Sequence, residues 1–460
     1  MIDLVKHAEE ILSRALRNGG GLAEIYCQES AMTSVSLEDN KVEKVITGAE
    51  TGAGIRILSG DRTLYGHTND VTLDGLLALA DTVAGGADEH RPEPDYSFRP
   101  ERFAIAVKRS AQDVATADKV KLVHAANQAA RGHDPRIVQV SVTYADAIRR
   151  IAIANSQGRL VEDVRPQILL MVQAVGAEKG VIQTGVDFVG GTVGFELFDE
   201  RDAESVALEA ARQAALMLDA DAAPTGRMPV VLSSEAGGTM IHEAVGHGLE
   251  ADLVDKGMSK FGGRLGEPVA APEVTVVDDA TVPGKRGSCS VDDEGTPAQR
   301  TVLIEEGRLV RFMNDLRTAR KMGHSPTGNG RRASYEHKPL PRMTNTMILP
   351  GTSDPGDILA STDTGLYVRK MGGGQVNTLN GDFVFEVSEG YLIRNGRAET
   401  PVRGATLIGN GPDVLLSIEA VGSDLGYAIG TCGKAGQGAP VSDAQPTLRI
   451  RELTIGGTAR

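Results

Sequence analysis

Residues 23–46 read Ala-Glu-Ile-Tyr-Cys-Gln-Glu-Ser-Ala-Met-Thr-Ser-Val-Ser-Leu-Glu-Asp-Asn-Lys-Val-Glu-Lys-Val-Ile. Apolar and polar side chains alternate over Ala23–Glu29 and again over Thr33–Leu37, the two-residue period of a half-buried strand. Glu38-Asp39-Asn40 supplies turn residues, and a third strand is predicted near Val42–Ile46. This part of the chain therefore reads as hairpins in a meander, which predicts a mixed or antiparallel sheet.

Upstream, Leu4, Val5, Ala8, Ile11, Leu12 and Ala15 recur at helical spacing within residues 2–18, and Gly19-Gly20-Gly21 ends the run. Downstream, Gly54–Leu58 and Arg62–Tyr65 flank Ser59-Gly60-Asp61 as a second hairpin, and Thr72–Ala84 reads as a helix ending at Gly85-Gly86. Asp88–Glu101 carries Pro92, Pro94 and Pro100 among charges and reads as a connector. A second α/β unit follows: helix Ala117–Arg131, strands Ile137–Tyr144, Ile148–Ala154 and Ile168–Val175, and helix Asp202–Leu218. Asp219–Gly226 is the expected main boundary. Beyond it come a short strand at Val230–Leu232 and a helix beginning in Glu235–Asp255. From Val274 the chain is mostly short strands and turns, with a helix at Met313–Met322.

The expected class is α+β. Residues 1–222 form an N-terminal α/β region, divisible near 88–101. Residues 223–460 form a mainly β catalytic domain carrying a distorted metal-binding helix. A chain of 460 residues fits two or three cores better than one. Its 55 glycines and absence of Trp suit many tight turns.

The net charge of −14, without a Lys/Arg block, argues against nucleic acid as a partner. The start, Met1-Ile2-Asp3-Leu4-Val5-Lys6-His7, lacks the basic and apolar pattern of a signal peptide. Apolar stretches such as Pro166–Val175 are too short to span a membrane. Three cysteines, Cys27, Cys289 and Cys432, do not suggest a disulfide framework, and a cytoplasmic location is expected.

Chemistry concentrates in Ile241-His242-Glu243-Ala244-Val245-Gly246-His247-Gly248-Leu249-Glu250-Ala251-Asp252. His-Glu-x-x-x-His resembles the zinc-peptidase motif with one residue added. Ligands four apart on a regular helix differ by roughly 40° around the axis, whereas five apart they differ by roughly 140° and diverge. A π-type turn would return both imidazoles to one face, and Gly246 and Gly248 would ease that distortion. Two histidines need a third ligand plus an open position for water. Glu250, Asp252 and Cys432 are the candidates for the third. Cys432 lies within Gly430-Thr431-Cys432-Gly433-Lys434, where Lys434 would favour the thiolate. Cys27 and Cys289 read as packing residues.

Several further segments bear on identity: Val276-Val277-Asp278-Asp279, Val291–Pro297, Pro326–Arg332, Pro341–Thr346, Gly372-Gly373-Gly374-Gln375-Val376, Gly381-Asp382-Phe383 and Cys432-Gly433-Lys434. With the His242–Asp252 segment they closely resemble the TldD branch of the TldD/PmbA (modulator of DNA gyrase) metallopeptidase family. The resemblance covers nearly all of the second half and, more loosely, the first. It implies one zinc ion per chain on His242, His247 and Cys432, with Glu243 as the base. It also implies unfolded or extended peptides as substrates, including precursors of modified peptide antibiotics. The assembly would be a homodimer, or a heterodimer with a PmbA/TldE-like subunit lacking the metal motif. Gly372, Gly373, Gly374 and Gln375 would either let a substrate backbone approach as an added strand or form a bulge or turn. Arg332, Tyr335 and His337, in a polar segment, are candidates for the substrate or its oxyanion, with a structural role as the favoured alternative for each. Two other readings compete: a zinc hydrolase of non-peptide amides or esters, and a binding module with structural zinc, for which Asp252 would be a fourth ligand.

Overall fold

The computed structural model describes residues 2–87 and 93–457. Helix α1 (Leu4–Ala15) buries Leu4, Ala8, Ile11, Leu12 and Ala15, the stripe its sequence predicts. Burying each of the larger side chains contributes about 1.5–3 kcal/mol relative to exposure. It packs with α2 (Leu73–Ala84) against strands β1 (Leu22–Glu38), β2 (Lys41–Ser59) and β3 (Arg62–Thr68). Ala23–Glu29 and Thr33–Leu37, expected as separate segments, are two parts of β1. Antiparallel partners on both sides carry the strand through the less regular residues between them.

The connector expected at Asp88–Glu101 is corrected in part. Residues 88–92 lie outside the described residues, but β4 (Asp95–Ala104) pairs in parallel with β6 (Gln157–Glu178). Pro100 is tolerated because β4 is an edge strand whose other side makes no ladder. Likewise, Ile137–Tyr144 and Ile148–Ala154 are one strand, β5 (Ile137–Asn155), and β7 (Val181–Gly191) has no counterpart in the sequence reading. Among the described residues these form a seven-stranded sheet in the order β3-β2-β1-β5-β6-β4, with β7 also on β6. Helices α3 (Thr116–His133) and α4 (Ala203–Asp219) cover one face, with Asp202 capping α4 through Ser205.

Among the described residues, the rest of the chain builds around another core a two-stranded sheet (Gly330–Arg331 with Leu340–Pro341) and two large ones. In one, β8 (Gly226–Leu232), β11 (Thr364–Val376), β12 (Asp382–Arg394), Thr406–Asn410 and β15 (Leu448–Gly456) pair in a closed ring. In the other, β9 (Val276–Asp279) pairs with β10 (Asn345–Ile348), which pairs in parallel with β14 (Gln437–Gln445). The latter carries β13 (Gly426–Lys434) at the sheet's edge. The helix predicted at Met313–Met322 starts at Leu316, because Asp315 and Thr318 form a capping box. No helix is long and apolar enough to cross a membrane among the described residues.

The first sheet meets the second core through buried charge. Arg56 bonds Glu24 at 2.8 Å and Glu294 at 2.6 Å, and Arg332 bonds Glu24 at 2.5 Å. Arg165 joins Asp163 and Asp293. Gly52 and Gly54 leave room for the Tyr335 ring and the Tyr65 hydroxyl, which donates to the Tyr335 carbonyl. Removing one partner of a buried pair strands the other charge, so Glu24→Ala should destabilise the chain by about 3–5 kcal/mol. Chemical denaturation checks this. A loss below about 1 kcal/mol, the scale of a surface pair, would contradict it.

Candidate metal centre

The Glu235–Asp255 segment, expected to begin as a helix and to be distorted, is a series of short helical turns. A 3₁₀ turn (Ser234–Ala236) ends at Gly237 and Gly238, both at positive φ (75° and 82°). A helical turn follows at Thr239–Ile241, then a π-helical turn at His242–Gly246, a 3₁₀ turn at His247–Leu249 and a short helix at Ala251–Asp255. The His247 N–H donates to the His242 carbonyl five residues back, which defines the π-turn. The expected distortion is therefore present, and it brings the two imidazoles face to edge with centroids 5.0 Å apart. The glycines contribute differently from expectation. Gly246 has ordinary helical angles (φ −55°, ψ −51°). A Cβ there would strike Met343, and one at Gly248 would strike Phe261, so both serve close packing.

Cys432 reaches the histidines from a distant element, the β13–β14 hairpin. Three arginines hold that hairpin by its carbonyls. Arg342 donates to Cys432 O (2.6 Å) and Gln437 O (3.3 Å), Arg331 to Pro440 O (2.7 Å) and Arg286 to Gly430 O (3.2 Å). The potential ligand atoms of His242, His247 and Cys432 lie within 4.8 Å of one another, and Cys432 Sγ is 3.5 Å from His247 Nε2. Each imidazole has its other nitrogen on a carboxylate. His242 Nδ1 is 2.7 Å from Asp443 Oδ1, and His247 Nδ1 is 3.0 Å from Glu250 Oε2. Such partners fix the tautomer and leave Nε2 free to face a metal. Sequence reasoning did not single out Asp443, and it offered Glu250 as a ligand rather than as a partner of His247. No local spacing signals either role.

Lys434 also departs from expectation. Its ammonium lies 2.5 Å from Asp252 and 3.0 Å from Glu250 and donates to Pro341 O, rather than serving the Cys432 thiolate. Asp252 is thereby turned to Lys434.

The electrostatics suit a cation. Burial pushes the Cys432 thiol up, but hydrogen bonds from His242 and His247, and their charge, outweigh it and bring it down to about 5. Burial lowers His247, yet Glu250 and Cys432 push it up to about 10. Burial likewise opposes, and Asp443 overcomes, the charging of His242, which ends well above the usual imidazole range. Glu243 is raised by burial, against the pull of His242 and His247.

The cluster opens on a cavity of about 1030 Å³ between the two sheet systems. Thr184, Val186 and Phe188 of β7 and Ser205, Glu209 and Gln213 of α4 line one side, with Arg369–Gly373 of β11 opposite. All residues from Gly426 to Gly433 line it, so both faces and the free edge of β13 border the space. Gly372 and Gly373 belong to this lining, whereas Gly374 packs under Phe385 and neither it nor Gln375 is part of it. Arg332, Tyr335 and His337 lie outside it. Arg332 is in the buried ion network, Tyr335 in a core cluster, and His337 bonds Ser334.

Two imidazoles and a thiolate beside a carboxylate, on the floor of an open cavity, are the parts of a hydrolytic metal site. Comparison with known proteins agrees. The descriptions "PmbA/TldA metallopeptidase C-terminal domain", "central domain" and "domain 1" match residues 225–457, 109–218 and 23–87. The chain is 40% identical to a metalloprotease TldD homolog of Haemophilus influenzae, over 95% of this chain and 93% of that one. A metalloprotease of Methanothermobacter thermautotrophicus is 36% identical over 95% of each. Two solved structures share the fold. A candidate modulator of a DNA gyrase from Thermotoga maritima has TM-score 0.81 and 23% identity over 99% of this chain and 100% of that one. TldE from Thermococcus kodakarensis has TM-score 0.77 and 20% identity over 98% and 100%. The chain belongs to the PmbA/TldD family of metallopeptidases, and a metal cofactor comes with that membership.

In the metal-free chain, alkylation of Cys432 by iodoacetamide should follow an apparent pKa of about 5. A lowered pKa keeps the thiolate above that pH, so reactivity should be lost as pH falls through it. Cys27 and Cys289, pushed up by burial to about 12 and about 11, should stay unmodified at neutral pH. Peptide mapping checks both points. A midpoint for Cys432 near its ordinary value of 9.0 would contradict the pairing.

Proposed function

We propose that this chain is a zinc-dependent peptidase of unfolded or extended peptides, with His242, His247 and Cys432 as ligands of one zinc ion and Glu243 as the catalytic base. The observation that carries this reading is the 3.5 Å separation of Cys432 Sγ and His247 Nε2. Bonds of about 2.0–2.1 Å to nitrogen and about 2.3 Å to sulfur, at a tetrahedral angle, produce that separation. Three protein ligands leave a position for water, the pattern of catalytic sites. A structural four-ligand site is disfavoured, because the fourth candidate, Asp252, pairs with Lys434.

When bound, zinc lowers the pKa of water and polarises a carbonyl. Glu243 Oε2, 3.9 Å from His247 Nε2 on the cavity wall, would take the proton of the attacking water and pass it to the leaving amine. Burial raises Glu243 above the ordinary carboxylate range, the direction that favours taking up the proton of water.

The cavity is at the upper end of small-ligand sizes, and an extended peptide could pair along the free edge of β13 past Cys432. The wall formed by β11 at Gly372 and Gly373 gives such a backbone room. We read residues 1–222 and 223–460 as two domains with the substrate between them. The assembly we propose has two subunits, either of this chain alone or with a TldE-like partner.

Glu243→Gln should reduce hydrolysis of an unfolded peptide by at least about 100-fold while leaving about one zinc per chain. His247→Ala should lose metal and activity together. Digestion assays, with and without a TldE-like partner, and metal analysis check this. If Glu243→Gln lost its zinc, Glu243 would be a ligand and the assigned role would be wrong.

A further inference from the structure

Cys432 and Lys434 are two residues apart on β13 and so lie on the same face of the strand. The ammonium of Lys434 lies 3.0 Å from Glu250 Oε2, the same oxygen that faces His247 Nδ1 at 3.0 Å. It also bonds Asp252 Oδ1 at 2.5 Å and Pro341 O at 2.9 Å. Glu250 and Asp252 are both buried, and Glu250 Oε1 has no hydrogen-bond partner. Glu250 Oε2 therefore has two nitrogen partners, His247 Nδ1 on the helical segment and Lys434 Nζ on the hairpin.

We propose that Lys434 is a positioning residue for the metal centre: it ties the strand bearing Cys432 to the carboxylate that orients His247. The imidazoles come from residues 242–247 and the thiolate from a hairpin about two hundred residues later in sequence. A three-ligand site on two such elements keeps its geometry only if they cannot move apart. The arginines hold the hairpin to the body of the molecule and Asp443 of β14 ties it to His242, while Lys434 ties the strand bearing Cys432 to Glu250, the partner of His247. Without it, Glu250 and Asp252 would be two buried carboxylates with one cation fewer between them. Their repulsion would draw Glu250 from His247 and release the imidazole's orientation.

This inference rests on the zinc reading above, and its test separates the two. Zinc affinity of the full chain is measured by competition with a chromophoric chelator, alongside the thiolate-to-metal absorption of the cobalt-loaded protein. Lys434→Met should weaken zinc binding by roughly 10–100-fold, the range for loss of such outer partners, and alter the cobalt spectrum. Lys434→Arg, which keeps the charge, should recover most of the affinity. In a Glu250→Gln background Lys434→Met should change affinity by less than about 3-fold, because the two act through one path.

Unchanged zinc affinity in Lys434→Met would overturn the proposal even if thermal stability fell, since a purely structural lysine would move stability alone. Equal losses with and without Glu250 would overturn it too. If Lys434→Met does not fold, Lys434→Gln takes the same comparison. A wild-type chain that binds no zinc would instead overturn the proposed function.

Discussion

The placement of the cavity depends on the buried ion lattice between the first sheet and the second core. Glu24 on β1 holds both Arg56 and Arg332, and Arg56 continues to Glu294. A lattice of this kind adds little net stability over an apolar contact of the same shape, because desolvation offsets the attraction. It is intolerant of misplacement, however, since a shift that breaks one bond leaves a bare charge in a low dielectric. The two sheet systems are thereby held in one relation. The cavity between β7, α4, β11 and β13 lies between the systems so held, which are joined at the cavity as well by Lys370 to Asp187 and Glu209 and by Arg212 to Glu389.

A second layer of charge surrounds the His242–His247–Cys432 cluster. Asp443 and Glu250 hold the imidazoles from behind, while Arg342, Arg331 and Arg286 hold the Cys432 hairpin by its backbone. The carboxylates make the imidazoles more basic and the imidazoles make the thiol more acidic, so without metal the cluster carries protons that a cation must displace. Binding is therefore coupled to proton release, and the partners that orient the donors also set their proton affinity.

The His-Glu-x-x-x-His segment shows local sequence and tertiary packing working together. Its five-residue spacing is incompatible with a shared face on a regular helix, and the π-turn at His242–Gly246 resolves the conflict. Why the glycines are there was not legible from their backbone freedom. Met343 and Phe261 press against Gly246 and Gly248, and those neighbours come from other parts of the chain.

Taken alone, the sequence determined the elements whose signals are local. These are the stripe of α1, the turn between β1 and β2, the helix capped by Asp202, and the need for a distorted turn between His242 and His247. Family resemblance brought Cys432 to the two histidines, which spacing alone left open against Glu250 and Asp252. Only the tertiary structure decided the rest. It fused paired segments into the long strands β1 and β5, made a strand of the proline-bearing Asp95–Ala104, and put Arg332 and Tyr335 in the contact between sheet and core. It also paired Asp443 with His242 and turned Lys434 to Glu250. The reason is common to all of these. Helical and turn signals arise between residues a few positions apart, whereas a ladder partner, a buried counter-ion or the carboxylate behind a histidine comes from a segment whose distance along the chain leaves no local trace.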